Sequence, residues 1–414
     1  MTSDLLTVRL EKLTYGGDAL GRLPDGRAVF VPFALPGEEV RIRSVDEKRG
    51  HVRAELVEVL EPSAERITPK CRHFGVCGGC HYQHLPYQAQ LTAKTEILRD
   101  QLTRIGKIEH PPVKQIVPSA TEWNYRNHIQ FHLTHAGKLG YIDAHSRSVI
   151  PVSECHLPEP PLNALWPALE FDSGLGLERV SLRLGMDEQA MLVLESASPA
   201  TPGLELEADL SVVHLAGEDV VVMAGDDHLI MKVDDRVNKR LFYVSAASFF
   251  QVNTGMAGKM VAHLLAHFPV SLGTVLLDVY CGVGLFSAFF APRAGHLIGI
   301  ESSPSACEDF AVNLDEFEHV ELYEAPAEDV LPALDGKPDV VIVDPPRLGL
   351  EKRALDALLA IGTANIAYVS CDPSTLARDA ARLIAGGYRL DEVTPFDLFP
   401  QTFHIESISI FEKQ

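Results

Sequence analysis

Asp278-Val-Tyr-Cys-Gly-Val-Gly-Leu285 grows out of the apolar run Thr274 to Tyr280, and its reading decides the architecture of the second half of the chain. An apolar strand that empties into a glycine-containing turn and a helix is the first βα unit of a doubly wound sheet. Its bare backbone lets a nucleotide-like ligand come close. A second apolar strand, His296 to Ile300, ends in Glu301, 23 residues beyond Asp278, where an acid can bind the two hydroxyls of a ribose. The turn lacks the third glycine of the dinucleotide fingerprint, which points to S-adenosylmethionine rather than NAD. Just upstream, Ser248-Phe-Phe-Gln-Val-Asn253 sets two aromatic rings and an amide before a helix. Phe249, Phe250 and Gln251 are enough to sandwich a planar ring and hydrogen-bond its edge.

Downstream, β/α alternation continues through Val340 to Val343, Ile366 to Val369 and the terminal strands. Val343-Asp-Pro-Pro-Arg347 closes one strand, and Ala367-Tyr-Val-Ser-Cys-Asp-Pro-Ser374 ends another in Cys371 before a proline-started helix. A thiol between a strand end and a helix N-terminus is expected to favour its thiolate, the form that attacks carbon. A lone cysteine there would equally suit a buried, inert side chain. Asp344 beside it, and Glu406 on the last strand where a carboxylate can face the same pocket, make a catalytic rim the stronger expectation. Arg347 is placed to steer a phosphate or to form an internal ion pair.

The chain has 414 residues, 46% of them hydrophobic, which supports a multi-domain α/β protein. No apolar run approaches the 18 or so residues of a membrane span, and Met-Thr-Ser-Asp begins no signal segment. The expectation is a cytoplasmic protein with no membrane partner, a monomer without an obligate protein partner. A net charge of −21 argues against nonspecific nucleic-acid binding by the whole surface. Residues 1–155, however, carry 20 Lys+Arg against 18 Asp+Glu and nine of the seventeen histidines, so a polyanion is expected to dock there. Residues 156–240 are acidic and show no chemistry; they read as a scaffold sheet.

Residues 5–60 read as short strands, Leu5 to Thr14, Arg27 to Pro32, Glu39 to Val45 and His51 to Leu60, joined by Gly16-Gly17, Pro24-Asp25-Gly26 and Leu35-Pro36-Gly37. That is a small barrel of the oligonucleotide-binding type. Cys71-Arg-His-Phe-Gly-Val-Cys-Gly-Gly-Cys80 follows, with three of the seven cysteines spaced Cys-x5-Cys-x2-Cys. Three thiols so close need a fourth ligand around a metal centre. Cys155, in Val152-Ser-Glu-Cys-His-Leu157, completes a cluster set; His73, His81 or His84 would complete a zinc site instead. A helix is expected over 87–105, then strands from Trp123 to Val152 with Arg126 and His128 as polar partners able to grip RNA or merely to meet solvent.

Several of these stretches resemble one family. Tyr15-Gly-Gly-Asp-Ala-Leu-Gly-Arg22 with Val29-Phe-Val-Pro-Phe33 and Leu35-Pro-Gly-Glu38 is similar to the TRAM domain, an RNA-binding barrel. The whole chain resembles the RNA 5-methyluridine methyltransferases, the bacterial 23S ribosomal RNA type with an iron-sulphur cluster. The resemblance implies a TRAM barrel at 1–62, an iron-sulphur and β-rich central domain at 63–240, and a Rossmann-like S-adenosylmethionine-dependent methyltransferase domain at 241–414. It implies a [4Fe-4S] cluster on Cys71, Cys77, Cys80 and Cys155, and S-adenosylmethionine contacts at Gln251, Tyr280, Glu301 and Asp344. Cys371 becomes the nucleophile and Glu406 the general base, with 23S rRNA or tRNA as substrate. This chain has Tyr280 where relatives often have Phe. An amino-group methyltransferase would want an aromatic after Asp-Pro-Pro, where this chain has Arg347, and would need no nucleophilic cysteine. A non-catalytic iron-sulphur RNA-binding protein would not keep the ligand turn and the rim intact.

Overall fold

The computed structural model describes residues 5–203, 205 and 209–414; Met1 to Asp4, read above for a signal segment, lie outside them. The strands Leu6–Leu13, Ala19–Arg22, Ala28–Val31, Glu39–Glu47 and His51–Glu61 (β1–β5) close into a barrel in the order β1-β2-β3-β5-β4. Alternation builds it: Val8, Leu10, Val29, Val31, Val40, Ile42 and Val52 point inward, and charged residues between them face water. Gly21 is required where it sits, because a Cβ would lie 2.8 Å from the Arg9 carbonyl oxygen.

After an irregular stretch that carries the three clustered cysteines comes the helix Tyr87–Arg104 (α1). The strands His128–Leu133, Leu139–Ile142 and Val149–Pro151 (β6–β8) lead to the short helix Pro160–Leu165 (α2). With Leu177–Leu184, Ala190–Ser196, Ser211–Ala216 and Asp219–Ala224 (β9–β12) they form a seven-stranded sheet in the order β12-β11-β10-β9-β6-β7-β8. The scaffold sheet expected from 156–240 is thus the larger part of this layer. A hairpin, His228–Asp234 and Lys239–Ser245 (β13, β14), then packs Leu229, Met231, Phe242 and Val244 into one core with the helix Thr254–His267 (α3). The boundary expected between 240 and 241 therefore runs through β14.

The last unit alternates strand and helix: Val275–Val279 (β15), Leu285–Phe290 (α4), His296–Glu301 (β16), Pro304–Asn313 (α5), Val320–Glu324 (β17), Ala327–Val330 (α6), Val340–Val343 (β18), Lys352–Ile361 (α7), Asn365–Ser370 (β19), Pro373–Ala385 (α8), Tyr388–Phe396 (β20) and Glu406–Lys413 (β21). The sheet runs β17-β16-β15-β18-β19-β21-β20, parallel except for β21, which is antiparallel to both its neighbours. Val340-Val-Ile-Val343 is wholly buried, as a strand covered by helices on both faces must be. Leu277, Val341, Ile366 and Tyr368 face α1, α7 and α8, while Leu276, Ile342, Ala367 and Val369 face α3 and α4. The first of these cores also takes in the barrel residues Val8, Val29 and Val40, so the barrel is packed against the doubly wound layer. None of the described helices is long and apolar enough to cross a membrane.

Candidate active site

The winding of the sheet reverses between β15 and β18, and a crevice outside the carboxyl ends of strands at such a reversal is where α/β sheets bind ligands. Four strands end there on candidate residues. Tyr280 leaves β15 with φ +64°, a left-handed conformation that only the surrounding bonds impose on a non-glycine residue. The N–H groups of Tyr280 and Cys281 both donate to the Ile300 carbonyl, at 2.8 and 3.1 Å. Gly284, at φ +88°, caps α4, and a Cβ there would lie 2.5 Å from Leu314 Cδ1. Gly282, at φ +54°, has nothing within 4 Å of where a Cβ would sit, so its backbone is open to a ligand.

Glu301, at the end of β16, holds this turn. Its Oε2 accepts from the Gly282 N–H at 3.0 Å, and its Oε1 accepts from Ser302 and Ser303 N–H at 2.7 and 2.8 Å. An ionised carboxylate offers about four acceptor positions. Three of these are taken by loop amides, and Oε2 keeps an open position. Asp278, which is not among the candidates named from the sequence, lies beneath the same turn. It is fully buried, accepts from Ser287 Oγ at 2.7 Å, leaves Oδ1 without a partner, and is pushed up by burial to about 6. A lone acid inside an otherwise apolar strand was the available signal for it.

Asp344 follows β18, and its N–H donates to the Val279 carbonyl at 3.1 Å. Cys371 follows β19, and Glu406 opens β21. The β19–β21 ladder pairs Ser370 with Ser407, so the next position along it sets Cys371 opposite Glu406. Burial raises the Asp344 carboxyl, and the nearby Asp278 and Glu301 charges add to it. Glu406, 4% exposed, is pushed well above the usual carboxylate range by burial and by Asp344. The Cys371 thiol is pushed up to about 12 by burial, then by Glu406 and Asp344. Arg347, exposed at the rim, opposes both shifts.

The expected thiolate-favouring helix terminus is therefore corrected. Asp372 caps α8, its Oδ1 accepting from the Ser374 and Thr375 N–H groups at 2.8 and 3.1 Å. The amides that would have stabilised a thiolate already serve a carboxylate, whose own charge pushes the thiol further up. The Asp-Pro pair that starts the helix is a cap-then-first-turn signature and could have announced this. Asp372 Oδ2 accepts in turn from the hydroxyl of Tyr15 at 3.0 Å, a contact from the barrel to the residue beside the candidate nucleophile. Of the two rings expected to stack, Phe250 packs on Phe242 at 5.6 Å in the core, whereas Phe249 is 69% exposed. The Gln251 carbonyl is held by Asn127 Nδ2 at 3.0 Å, in the turn that leads into α3. Arg126 and His128 are not free RNA grips: Arg126 lies over the Tyr125 and Phe399 rings, and burial keeps His128 neutral.

The four clustered thiols make a second centre. Cys71, Cys77 and Cys80 each feel the charge of Cys155, and burial raises Cys77 to about 11 and Cys80 to about 12. The backbone already donates to sulfur, from His73 N to Cys71 Sγ and from Gly79 N to Cys77 Sγ, both at 3.4 Å. The segment is anchored by Arg72 N to Glu154 Oε1 at 2.7 Å and by Gly78 N to the Ile142 carbonyl at 3.0 Å. His73 Nε2 accepts from the Ser153 N–H at 3.0 Å and so is occupied in structure. Four thiols, two of them already accepting backbone N–H groups, are a donor set of the kind that an iron-sulphur centre takes.

The connection between β20 and β21 joins the two centres. His81 and Tyr82 N–H groups donate to the Gln401 carbonyl at 2.9 and 3.0 Å, and Phe403 meets His81 and Tyr15 edge-on. Lys94, fully buried on α1, pairs with Asp397 at 2.6 Å and donates to the Phe399 carbonyl at 2.9 Å.

Comparison with known proteins agrees with this geometry. The family model described as tRNA (uracil-5-)-methyltransferase matches residues 206–414, and the TRAM domain model matches residues 4–57. An uncharacterized RNA methyltransferase of Aquifex aeolicus is 34% identical over 98% of each chain. One of Thermosynechococcus vestitus is 31% identical over 98% of this chain and 97% of its own. The crystal structure of the Pyrococcus abyssi tRNA (uracil-54, C5)-methyltransferase in complex with S-adenosyl-L-homocysteine covers 98% of this chain and all of its own, with a TM-score of 0.73 at 25% identity. The chain belongs to the tRNA (uracil-5-)-methyltransferase family and is an S-adenosylmethionine-dependent RNA methyltransferase with an N-terminal TRAM barrel.

Proposed function

We propose that this enzyme methylates C5 of a uridine in 23S ribosomal RNA through a covalent bond from Cys371 to C6. The observation that carries the reading is the ladder register that sets Glu406 opposite Cys371, with Asp344 as their common neighbour. C5 of uracil is too weak a nucleophile to take a methyl group directly. Addition of the Cys371 sulfur to C6 moves an electron pair onto C5 and O4 as an enolate. The thiol proton must leave first, and carboxylates with raised pKa values are competent to take it at neutral pH. Bound S-adenosylmethionine supplies the methyl group and carries a positive charge, which favours the ionised forms of the acids around it. Once C5 is methylated, Glu406 takes the C5 proton, the electron pair returns to form the C5–C6 double bond, and Cys371 leaves as thiolate. Gln251, Tyr280, Glu301 and Asp344 bind the cofactor, with Glu301 at a ribose hydroxyl. Phe249 stacks on a uridine flipped out of its RNA.

Cys71, Cys77, Cys80 and Cys155 hold a [4Fe-4S] cluster in this reading, with a structural or RNA-positioning role, since the reaction has no redox step. Iron and acid-labile sulphide in anaerobically purified protein test it, and stoichiometric zinc without sulphide would overturn it. The likeness of the barrel and cysteine motifs to the ribosomal RNA type is the ground for ribosomal RNA. A tRNA substrate, named for the Pyrococcus abyssi enzyme, is the second reading. Mapping 5-methyluridine in both RNAs from a deletion strain decides: loss from 23S rRNA supports the proposal, loss from tRNA replaces it, and loss from neither rejects both.

A further inference from the structure

Outside both centres, two histidines one turn apart on α3 face an acid on the edge strand. We propose that His263, His267 and Glu392 form a divalent metal site of the zinc type that ties α3 to β20. His263 Nε2 and His267 Nε2 lie 3.5 and 3.4 Å from the same oxygen, Glu392 Oε1, and all three ligand atoms lie within 4.8 Å of one another. Those separations exceed a hydrogen bond of about 2.7–3.2 Å. They match the edge of a tetrahedron, roughly 3.3 Å, drawn around an ion with bonds of about 2.0–2.1 Å to nitrogen and oxygen.

The surroundings prepare the three atoms as ligands. His263 Nε2 is buried and has no hydrogen-bond partner. His267 Nδ1 donates to the His263 carbonyl at 2.9 Å, which fixes the tautomer and leaves a lone pair on Nε2. Thr394 Oγ1 donates to Glu392 Oε1 at 2.7 Å, the outer-shell bond that orients a ligating carboxylate. Lys114 approaches the other oxygen, Oε2, at 3.5 Å, so its charge does not occupy the side that faces the imidazoles. The side chains remain 16%, 30% and 19% exposed, which leaves room for water at the fourth position. An ion here would fix α3, which begins just after Gln251, against β20, which leads toward Glu406.

Zinc chloride titrated into the anaerobically purified full chain tests this, read by calorimetry and by zinc X-ray absorption. The expected result is one equivalent with nitrogen and oxygen scatterers at about 2.0–2.2 Å, and a thermal transition that rises with zinc. His267→Gln and Glu392→Gln, each with an unchanged circular dichroism spectrum, should lose that shell and weaken its zinc binding by roughly 10–100-fold or more. Zinc bound only to sulfur at about 2.3 Å, which is uptake by the cysteine centre, overturns the proposal. So does a nitrogen and oxygen shell that survives in both variants, or no uptake by the unaltered protein.

Discussion

Cys371 and Glu406 hang from the ends of two hydrogen-bonded strands, whereas Cys71, Cys77 and Cys80 sit in a stretch with no strand or helix, held by scattered bonds to Gln83, Ile142, Ser153 and Glu154 rather than by a ladder. The first pocket is placed by ladders whose residues are buried on both faces, so its geometry does not wait for a ligand. The second is a set of turns, whose ordering a metal centre would complete. The difference teaches where each can fail. Losing a side chain in the ladder pocket should cost chemistry and spare the fold. Losing a ligand in the turn-built centre should cost local order and spare the chemistry's cofactor.

The largest effect is expected in the ladder pocket. Cys371→Ala should lower turnover by roughly 10⁴-fold or more, while S-adenosylmethionine binding and the thermal transition stay near those of the unaltered enzyme. In the free enzyme the same thiol should react slowly with iodoacetamide. Its raised pKa means that the thiolate fraction, and so the rate, climbs about tenfold per pH unit up to the neighbourhood of pH 12. Peptide-resolved mass spectrometry separates it from the other cysteines. Fast alkylation at pH 7 would show that burial and the neighbouring carboxylates do not suppress the thiolate.

The connection that joins the centres comes next. Lys94→Met leaves Asp397 buried without its partner and should destabilise the protein by about 3–5 kcal/mol in denaturant titrations. An unchanged midpoint would mean that the buried pair does not hold this connection. The smallest effect is expected at the barrel contact. Tyr15→Phe removes one hydrogen bond to Asp372, worth about 0.5–1.5 kcal/mol. It should weaken RNA methylation by about tenfold at most and leave the barrel folded, as the far-ultraviolet spectrum would report.

What the sequence made legible follows from how local each signal is. The Asp278 turn, Glu301 at its strand end and Cys371 before its helix are short-range patterns, and the structure sets all of them around one crevice. Glu406 was legible as a last-strand acid, though its neighbour across the ladder depends on β21 inserting between β19 and β20. The helix-terminus argument for Cys371 left out Asp372, which already occupies that terminus, and the burial that no local pattern reports. Lys94 with Asp397, and Tyr15 with Asp372, were invisible: each pair lies hundreds of residues apart, and nothing local in α1 or in the barrel marks its partner. His263 and His267 are visible as a helical pair, but Glu392 reaches them only through the edge position of β20.

The division of labour between the two ladder-end residues is tested most directly by trapping the intermediate that joins them. Glu406→Gln, incubated with substrate RNA and S-adenosylmethionine labelled in the methyl group, should add and methylate, then stall because nothing takes the C5 proton. Denaturing electrophoresis should show a labelled protein–RNA band that disappears when Cys371→Ala is added to the same chain. A Cys371→Ala enzyme that still turns over, or a Glu406→Gln enzyme that releases methylated RNA at the normal rate with no adduct, would contradict the account.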